Sequence, residues 1–345
     1  MRSFKRAVIV TLLFALCFGA GFTAVAEVYF NTNSYYYQDA DTREALAGEL
    51  DMLICGGSHG YRAFIPSVLD EEMGVNSYNL AGALMTMKGR YTLVKKELER
   101  NDVDTVVIEL SYNATTRDRK AEGSEGDLYV LGRLDSITER AGYFFTSMYI
   151  NEYDRVAYDT FNRGVESIKT LLNDGRQYDN SSTKGYRGVA SNDCSTTVDD
   201  YLKNFGTSQF DENETEYNMN YLEKIAQLCK EHEVRTIVVV TPINDRYVYR
   251  HSNADAVMNK HRQWAEGHGF EYYDMNLLRT KNELFDDTSA FYDDTHLSVA
   301  SSEIFTREFA KIVNEAEDGM DVSSYFWSSY EEAEKHGKYR LVVQS

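Results

Sequence analysis

Proline is almost absent from this chain: among 345 residues only Pro66 and Pro242 are proline. With no proline-rich stretch and no internal repeat, rigid linkers and repeat arrays are excluded as its organising devices. Cysteine is scarce too, at four residues. Cys17 lies in an apolar run behind Phe14-Ala15-Leu16, a poor lipoprotein box, so lipidation there is not expected. Cys55, Cys194 and Cys229 are odd in number and have no metal-type spacing, which argues against a disulfide framework. Cys194 and Cys229 remain able to pair outside the cell, and Cys55 reads as a small apolar residue of a core strand. Basic residues are also in deficit, with 36 Lys and Arg against 55 Asp and Glu and a net charge of -19. Phosphate backbones are held by clustered Lys and Arg, so nucleic acid is excluded as a partner and the acidity is that of a solvated surface.

What the chain does have begins at its N-terminus. Arg2, Lys5 and Arg6 precede an uncharged apolar run from Ala7 to about Ala26. Its roughly 20 residues exceed a cleaved signal core of about 7 to 15 and approach the length that spans a bilayer. Ala24-Val25-Ala26 before Glu27 also fits a signal-peptidase site. Residues 1 to 30 therefore read as a signal anchor or a signal peptide cleaved after Ala26. Either way the basic flank stays inside, and residues 31 to 345 face outward.

Apolar runs at 53–55, 77–80, 105–110, 236–241 and 271–274 alternate with helical patterns at 61–73, 86–100, 215–232, 253–268 and 298–316. That alternation predicts a mostly parallel sheet with helices on both faces. Thr105 to Leu110 and Arg235 to Val240 are nearly continuous apolar runs, as expected for central strands buried on both sides. We place one α/β domain at 45–316, with a long insertion after the third strand at about 114–214. The insertion is rich in Tyr, Asp, Asn, Ser and Gly and carries helices near 131–142 and 153–173. At the C-terminal edge of such a sheet it would overlie the ligand crevice as a lid or cap. Residues 317–345 form an acidic, aromatic extension that either packs on the domain or serves as a surface arm.

Two segments carry chemistry. Leu53-Ile54-Cys55-Gly56-Gly57-Ser58-His59-Gly60 predicts a strand and turn that present Ser58 at the sheet edge, and Phe291-Tyr292-Asp293-Asp294-Thr295-His296-Leu297 supplies a histidine with acids before it. A serine hydroxyl becomes nucleophilic when an imidazole takes its proton and a carboxylate orients and stabilises that imidazole. Taken alone, a Gly-Gly-Ser turn is usually only a turn, and Asp-Asp-Thr-His is usually a helix cap. Their order along the chain, with Asn113 between them, shifts the balance.

That order, Gly-x-Ser after the first strand, Asn after a middle strand and Asp-x-x-His near the end, resembles the SGNH or GDSL-like hydrolase superfamily. The Gly-Gly-Ser-His segment departs from Gly-Asp-Ser and is similar to variants in membrane-anchored relatives that act on cell-surface polymers. The resemblance implies a flavodoxin-like three-layer α/β sandwich, with Ser58 as nucleophile, His296 as base and Asp293 as the orienting acid. Asp294 fits the Asp-x-His spacing of the alginate-type polysaccharide O-acetyltransferases and is the alternative. Leu110-Ser111-Tyr112-Asn113 and Asn79-Leu80-Ala81-Gly82 stand at the two oxyanion blocks, with Ser111 and Ala114 in place of the usual Gly and Asp. They offer Asn113 and Gly82 beside the Ser58 N–H, and loss of one such donor typically costs about 2.7 to 4 kcal/mol of barrier.

No metal or cofactor is expected. His232, His251, His261 and His268 have spacings unlike a zinc site and read as surface residues. His59 either points into the crevice or packs in the first helical turn. Arg246, in the loop after the 236–241 strand, either meets substrate or makes a surface salt bridge. The resemblance to anchored polysaccharide O-acetyltransferases and to D-alanine-transfer proteins of teichoic acid implies an esterase or O-acyltransferase on cell-surface or exported polysaccharide. A membrane protein delivering the acyl donor is a further implied partner. Most of the 26 tyrosines read as half-buried, although exposed ones would suit sugar faces. The alternatives are a secreted esterase or lipase on small or lipid esters, and an inactive surface-anchored glycan-binding or assembly component.

Overall fold

The apolar runs become five strands: β1 (Met52–Cys55), β2 (Ser77–Asn79), β3 (Thr105–Glu109), β4 (Arg235–Val240) and β5 (Glu271–Asp274). They form one all-parallel sheet of order β2-β1-β3-β4-β5, the flavodoxin-like arrangement. In this order the chain reverses its direction of travel between β1 and β3, and ligands bind at the carboxyl ends of such a pair. The computed structural model describes residues 2–32, 39, 42–174, 183–190, 198–285 and 289–336.

The longer helices are α1 (Arg2–Thr32), α2 (Ser58–Ala63), α3 (Pro66–Met73), α4 (Met87–Arg100), α5 (Ile137–Ser147), α6 (Tyr153–Asp174), α7 (Val198–Phe205), α8 (Glu216–Glu231), α9 (Ala254–Gly267) and α10 (Val299–Glu317). The sequence pattern at 61–73 predicts one helix, but the chain breaks it at Ile65, which is extended (φ -99°, ψ 105°). Pro66 is the cause, since its ring disfavours a helical conformation in the preceding residue.

Two compact units divide the chain: Met1–Thr42 with Asp127–Ser181, and Arg43–Gly126 with Ser182–Ser345. The second unit holds the sheet. Met52, Ile54, Val107, Ile237 and Val239 point to one face, where Phe64 of the α2–α3 junction and Phe305 and Phe309 of α10 complete a core. Leu53, Cys55, Val106, Ile108 and Val238 alternate with them and are equally buried, as sheet pleating requires. Here α4 lies against β1, and α8 packs on α4. The C-terminal extension packs on this unit: Phe326 bridges to Leu278, and the buried Tyr330 hydroxyl donates to Asp274 Oδ2 at 2.8 Å. Cys229 is buried in α8, while Cys194 lies outside the described residues.

The first unit is helical. α1 packs along α6, and a side chain added at Gly164 would strike Val25, so only glycine permits this approach. Buried Arg133 and Asp39 pair at 2.9 Å, and Tyr143 donates to Asp127 at 2.6 Å. Within α1, Phe4–Val25 has a mean hydropathy of 2.4 over 22 residues, the length and composition of a membrane anchor or signal sequence.

One buried side chain ties the end of β2 to the helix that carries Ser58. Asn79 Nδ2 donates to the Gly60 and Phe64 carbonyls at 3.1 and 2.9 Å, and its Oδ1 accepts from Ala81 N–H at 3.1 Å. The Gly60 carbonyl also accepts the Phe64 N–H at 3.2 Å, so Asn79→Ala would leave the Phe64 carbonyl and the Ala81 N–H unsatisfied. A loss of about 2 to 4 kcal/mol in urea unfolding is expected, and unchanged stability would contradict this role.

Candidate active site

The turn that carries Ser58 is shaped by what lies beneath it. Strand β1 ends at Cys55, and Gly56 and Gly57 carry the chain into α2, which starts at Ser58. A Cβ on Gly56 would lie 2.7 Å from both Cβ and Oε2 of Glu109, so glycine lets the turn close over that residue. Glu109 is fully buried at the end of β3, and its Oε2 accepts the Gly57 N–H at 2.9 Å. Arg90 of α4 approaches from the side and donates to the Glu109 carbonyl at 2.7 Å. Burial pushes the Glu109 carboxyl up from its ordinary range, and Arg90 and the Gly57 N–H pull partly against that rise.

Opposite stands a tight loop. Phe291 and Leu297 pair as an antiparallel bridge, and Tyr292 N–H donates to the His296 carbonyl at 2.8 Å. The loop leads into α10, whose hydroxyls grip the carbonyl end of α2. Ser302 Oγ donates to Arg62 O at 2.6 Å and Thr306 Oγ1 to Ala63 O at 3.0 Å. The helix bearing Ser58 and the loop bearing His296 are thus held to one frame.

Within that frame His296 Nε2 lies 2.8 Å from Ser58 Oγ. On the other side of the ring, Nδ1 lies 2.9 and 2.8 Å from the two carboxylate oxygens of Asp293. Asp293 Oδ1 also accepts the Thr295 and His296 N–H groups at 2.8 and 2.9 Å; these lie in the loop, and the next helix starts only at Val299, so the helix-cap reading does not hold. Burial works against ionisation of Asp293, but the hydrogen bonds and charge of His296 and the two N–H groups outweigh it. They hold the carboxyl well below the usual carboxylate range.

Asp294 turns the other way. Its Oδ1 accepts from Arg246 Nε at 2.7 Å, its Oδ2 from the Tyr201 hydroxyl at 2.5 Å, and its carbonyl from Asn244 N–H at 3.0 Å. Of the two readings of Arg246, the structure shows the salt bridge, with the arginine side chain only 11% exposed in it. Asp294 fastens the histidine loop to the segment after β4, and Asp293 alone of the two acids meets the imidazole.

Asn113 follows β3 and accepts the Ser111 hydroxyl at its Oδ1 (3.2 Å), while its Nδ2 has no hydrogen-bond partner among the described residues. Gly82 is placed differently from the expectation. Its N–H donates to the Gly56 carbonyl at 3.3 Å, and the N–H groups of Leu80 and Ala81 are likewise committed, to Ile54 O and Asn79 Oδ1. That strip is used to join β2 to the Gly56–Ser58 turn.

The sequence reading left His59 open and passed over Glu109 and Tyr112. His59 is buried, with its ring 4.7 Å from that of His296 and inclined by only 11°. Burial, and secondarily the neighbouring His296, hold its pKa well below the ordinary histidine value, so a neutral ring stacks on the loop histidine. Tyr112 meets the edge of His59 at 5.9 Å and stacks on Phe210 at 4.6 Å. Glu109 had a signal, an acid within an apolar strand. The surface reading of two other histidines fails: His251 and His261 are buried, His251 stacked on Phe210 at 3.9 Å and His261 beside Thr115.

The Asp293 arrangement has a sign that pH can read. Its folded pKa lies below the unfolded value of about 3.9, so its contribution is complete above roughly pH 4 and drains away as pH falls further. Asp293→Asn should be less stable than wild type at pH 7, with the gap narrowing progressively as pH falls below about 4 in urea titrations. A gap independent of pH would contradict the assignment.

No family model matches the chain, and neither does any curated protein. Among solved structures, a proposed acylhydrolase from Bacteroides fragilis aligns over 83% of this chain and 99% of its own at 8% identity, with a TM-score of 0.34. A likeness that loose carries no weight for function, and the reading below stands on the geometry.

Proposed function

We propose that this chain is a serine-dependent ester hydrolase or O-acyltransferase, carried by a membrane anchor and acting outside the cytoplasm on acyl esters of polysaccharide. The observation that carries the reading is the continuous chain Ser58 Oγ, His296 and Asp293, with all contacts at 2.8 to 2.9 Å. Ser58 Oγ attacks the ester carbonyl as its proton passes to His296 Nε2, and Asp293 stabilises the resulting imidazolium. The new oxyanion sits near the start of α2 and Asn113, whose Ser58 N–H and Nδ2 are the two proposed donors. Collapse expels the alcohol, which takes the proton from His296 and leaves an acyl-serine. Water or a sugar hydroxyl then attacks that ester as its proton passes to His296; His296 returns the proton to Ser58 Oγ, and the acid or the new sugar ester leaves.

Support for a sugar-bearing substrate comes from the aromatic and cationic border of this edge. Arg62 stands over the rings of Tyr61 and Tyr292, at 5.6 and 5.1 Å, beside the histidine loop. Half-buried rings of this kind offer flat faces with polar rims to a sugar.

The two aspartates provide the test. With p-nitrophenyl acetate and an acetylated oligosaccharide as substrates, Asp293→Asn should lower kcat by about a thousandfold or more. Asp294→Asn, which perturbs the loop only through Arg246 and Tyr201, should cost about tenfold or less. Equal losses would overturn the assignment of roles. Rapid turnover of long-chain esters with none of the acetylated glycan would overturn the polysaccharide substrate.

A further inference from the structure

The helical unit exposes apolar side chains that water does not favour. Phe145 at the end of α5 and Ile150 in the turn before α6 are 66% and 84% exposed, and Ile137, Tyr149 and Tyr158 are exposed beside them in sequence. α5 also forms one wall of an open apolar groove of about 360 Å³. The lining also includes Phe22 and Thr23 of α1, Val156 of α6 and one charged residue, Arg140 of α5.

The place of Phe22 and Thr23 along α1 decides what fills the groove. A helix crosses the hydrocarbon of a bilayer in about 20 residues, and the apolar run Phe4–Val25 has 22. With Arg2, Lys5 and Arg6 at the inner end, Phe22 to Val25 stand at the outer boundary of the hydrocarbon layer. The Gly164–Val25 approach fixes α6 against α1 at this same level. Leu12, Leu13, Leu16 and Phe18 are all exposed on α1, and in a spanning α1 their solvent is lipid. Phe22 and Thr23, at the end of that apolar run, line the groove, and the exposed tyrosines suit the zone where acyl chains meet headgroups.

We propose that the corner formed by α5, the Ile150 turn and the start of α6 rests in the outer leaflet crossed by α1, with its groove taking a phospholipid acyl chain. This rests on the membrane anchor of the proposed function, that is, on α1 being retained. It gives the helical unit a second hold on the membrane beside the spanning helix.

The full-length chain, purified from membranes and reconstituted in phosphatidylglycerol–phosphatidylethanolamine nanodiscs, provides the test. With Cys17 and Cys194 replaced by Ser, a fluorescent NBD label is placed on Phe145→Cys, on Ile150→Cys, or on the exposed control Lys95→Cys. Nitroxide-labelled lipid should quench the first two several-fold more than the control, and aqueous iodide should quench them several-fold less. Iodide quenching equal to the control would overturn the proposal by placing the face in water. Protection from both quenchers would overturn it in favour of a protein partner or a second copy. Intact mass separates the two premises: loss of residues 1–26 would overturn the anchor and this proposal together, whereas full-length protein with iodide-accessible labels overturns this proposal alone.

Discussion

A single carboxyl group beneath a glycine turn determines where Ser58 stands. Glu109 is buried at the end of β3, where a carboxylate lacks water and must find protein donors. It finds the Gly57 N–H at 2.9 Å, and Arg90 lies close by. Because Gly56 has no side chain, β1 can turn tightly over this group, and α2 then begins at Ser58. A larger residue at Gly56 would require Glu109 to move, and with it the turn that aims Ser58. The flavodoxin-like strand order supplies the remaining condition by setting the ends of β1 and β3 side by side.

Two adjacent acids divide the work on the opposite side. Asp294 is spent on Arg246 and Tyr201, which hold the loop, while Asp293 faces His296. A neutral His59 stacked on His296 limits the tilt of the ring, and α10 joins the loop to the helix of Ser58 through Ser302 and Thr306. Every link is a short hydrogen bond or a ring contact within one unit. The proposed chemistry therefore starts from a preorganised serine and imidazole, with little to rearrange before attack.

The strands were legible because parallel strands buried on both faces must be apolar nearly throughout. Each of the five agrees with its run in the sequence to within a residue or so, as with 105–110 against Thr105–Glu109. Ser58, His296 and Asp293 were legible because their spacing is local to two loops. Roles that depend on contacts across the fold were not. Gly82 looked like an oxyanion donor, but its N–H is taken by Gly56, which no local pattern reveals. Glu109 stood out as an acid in an apolar strand, but its Gly57 partner across the fold did not, and His261 on a helix gave no sign that its ring is buried. The grouping of residues 127–181 with α1 depends on packing between segments more than a hundred residues apart.

The central claim is that Ser58 is an activated nucleophile, and covalent trapping tests it most directly. Folded wild-type protein treated with a fluorophosphonate should gain one adduct, mapped by peptide mass spectrometry to Ser58, and Ser58→Ala should gain none. Absence of an adduct on folded wild type, or equal labelling of Ser58→Ala, would contradict the account.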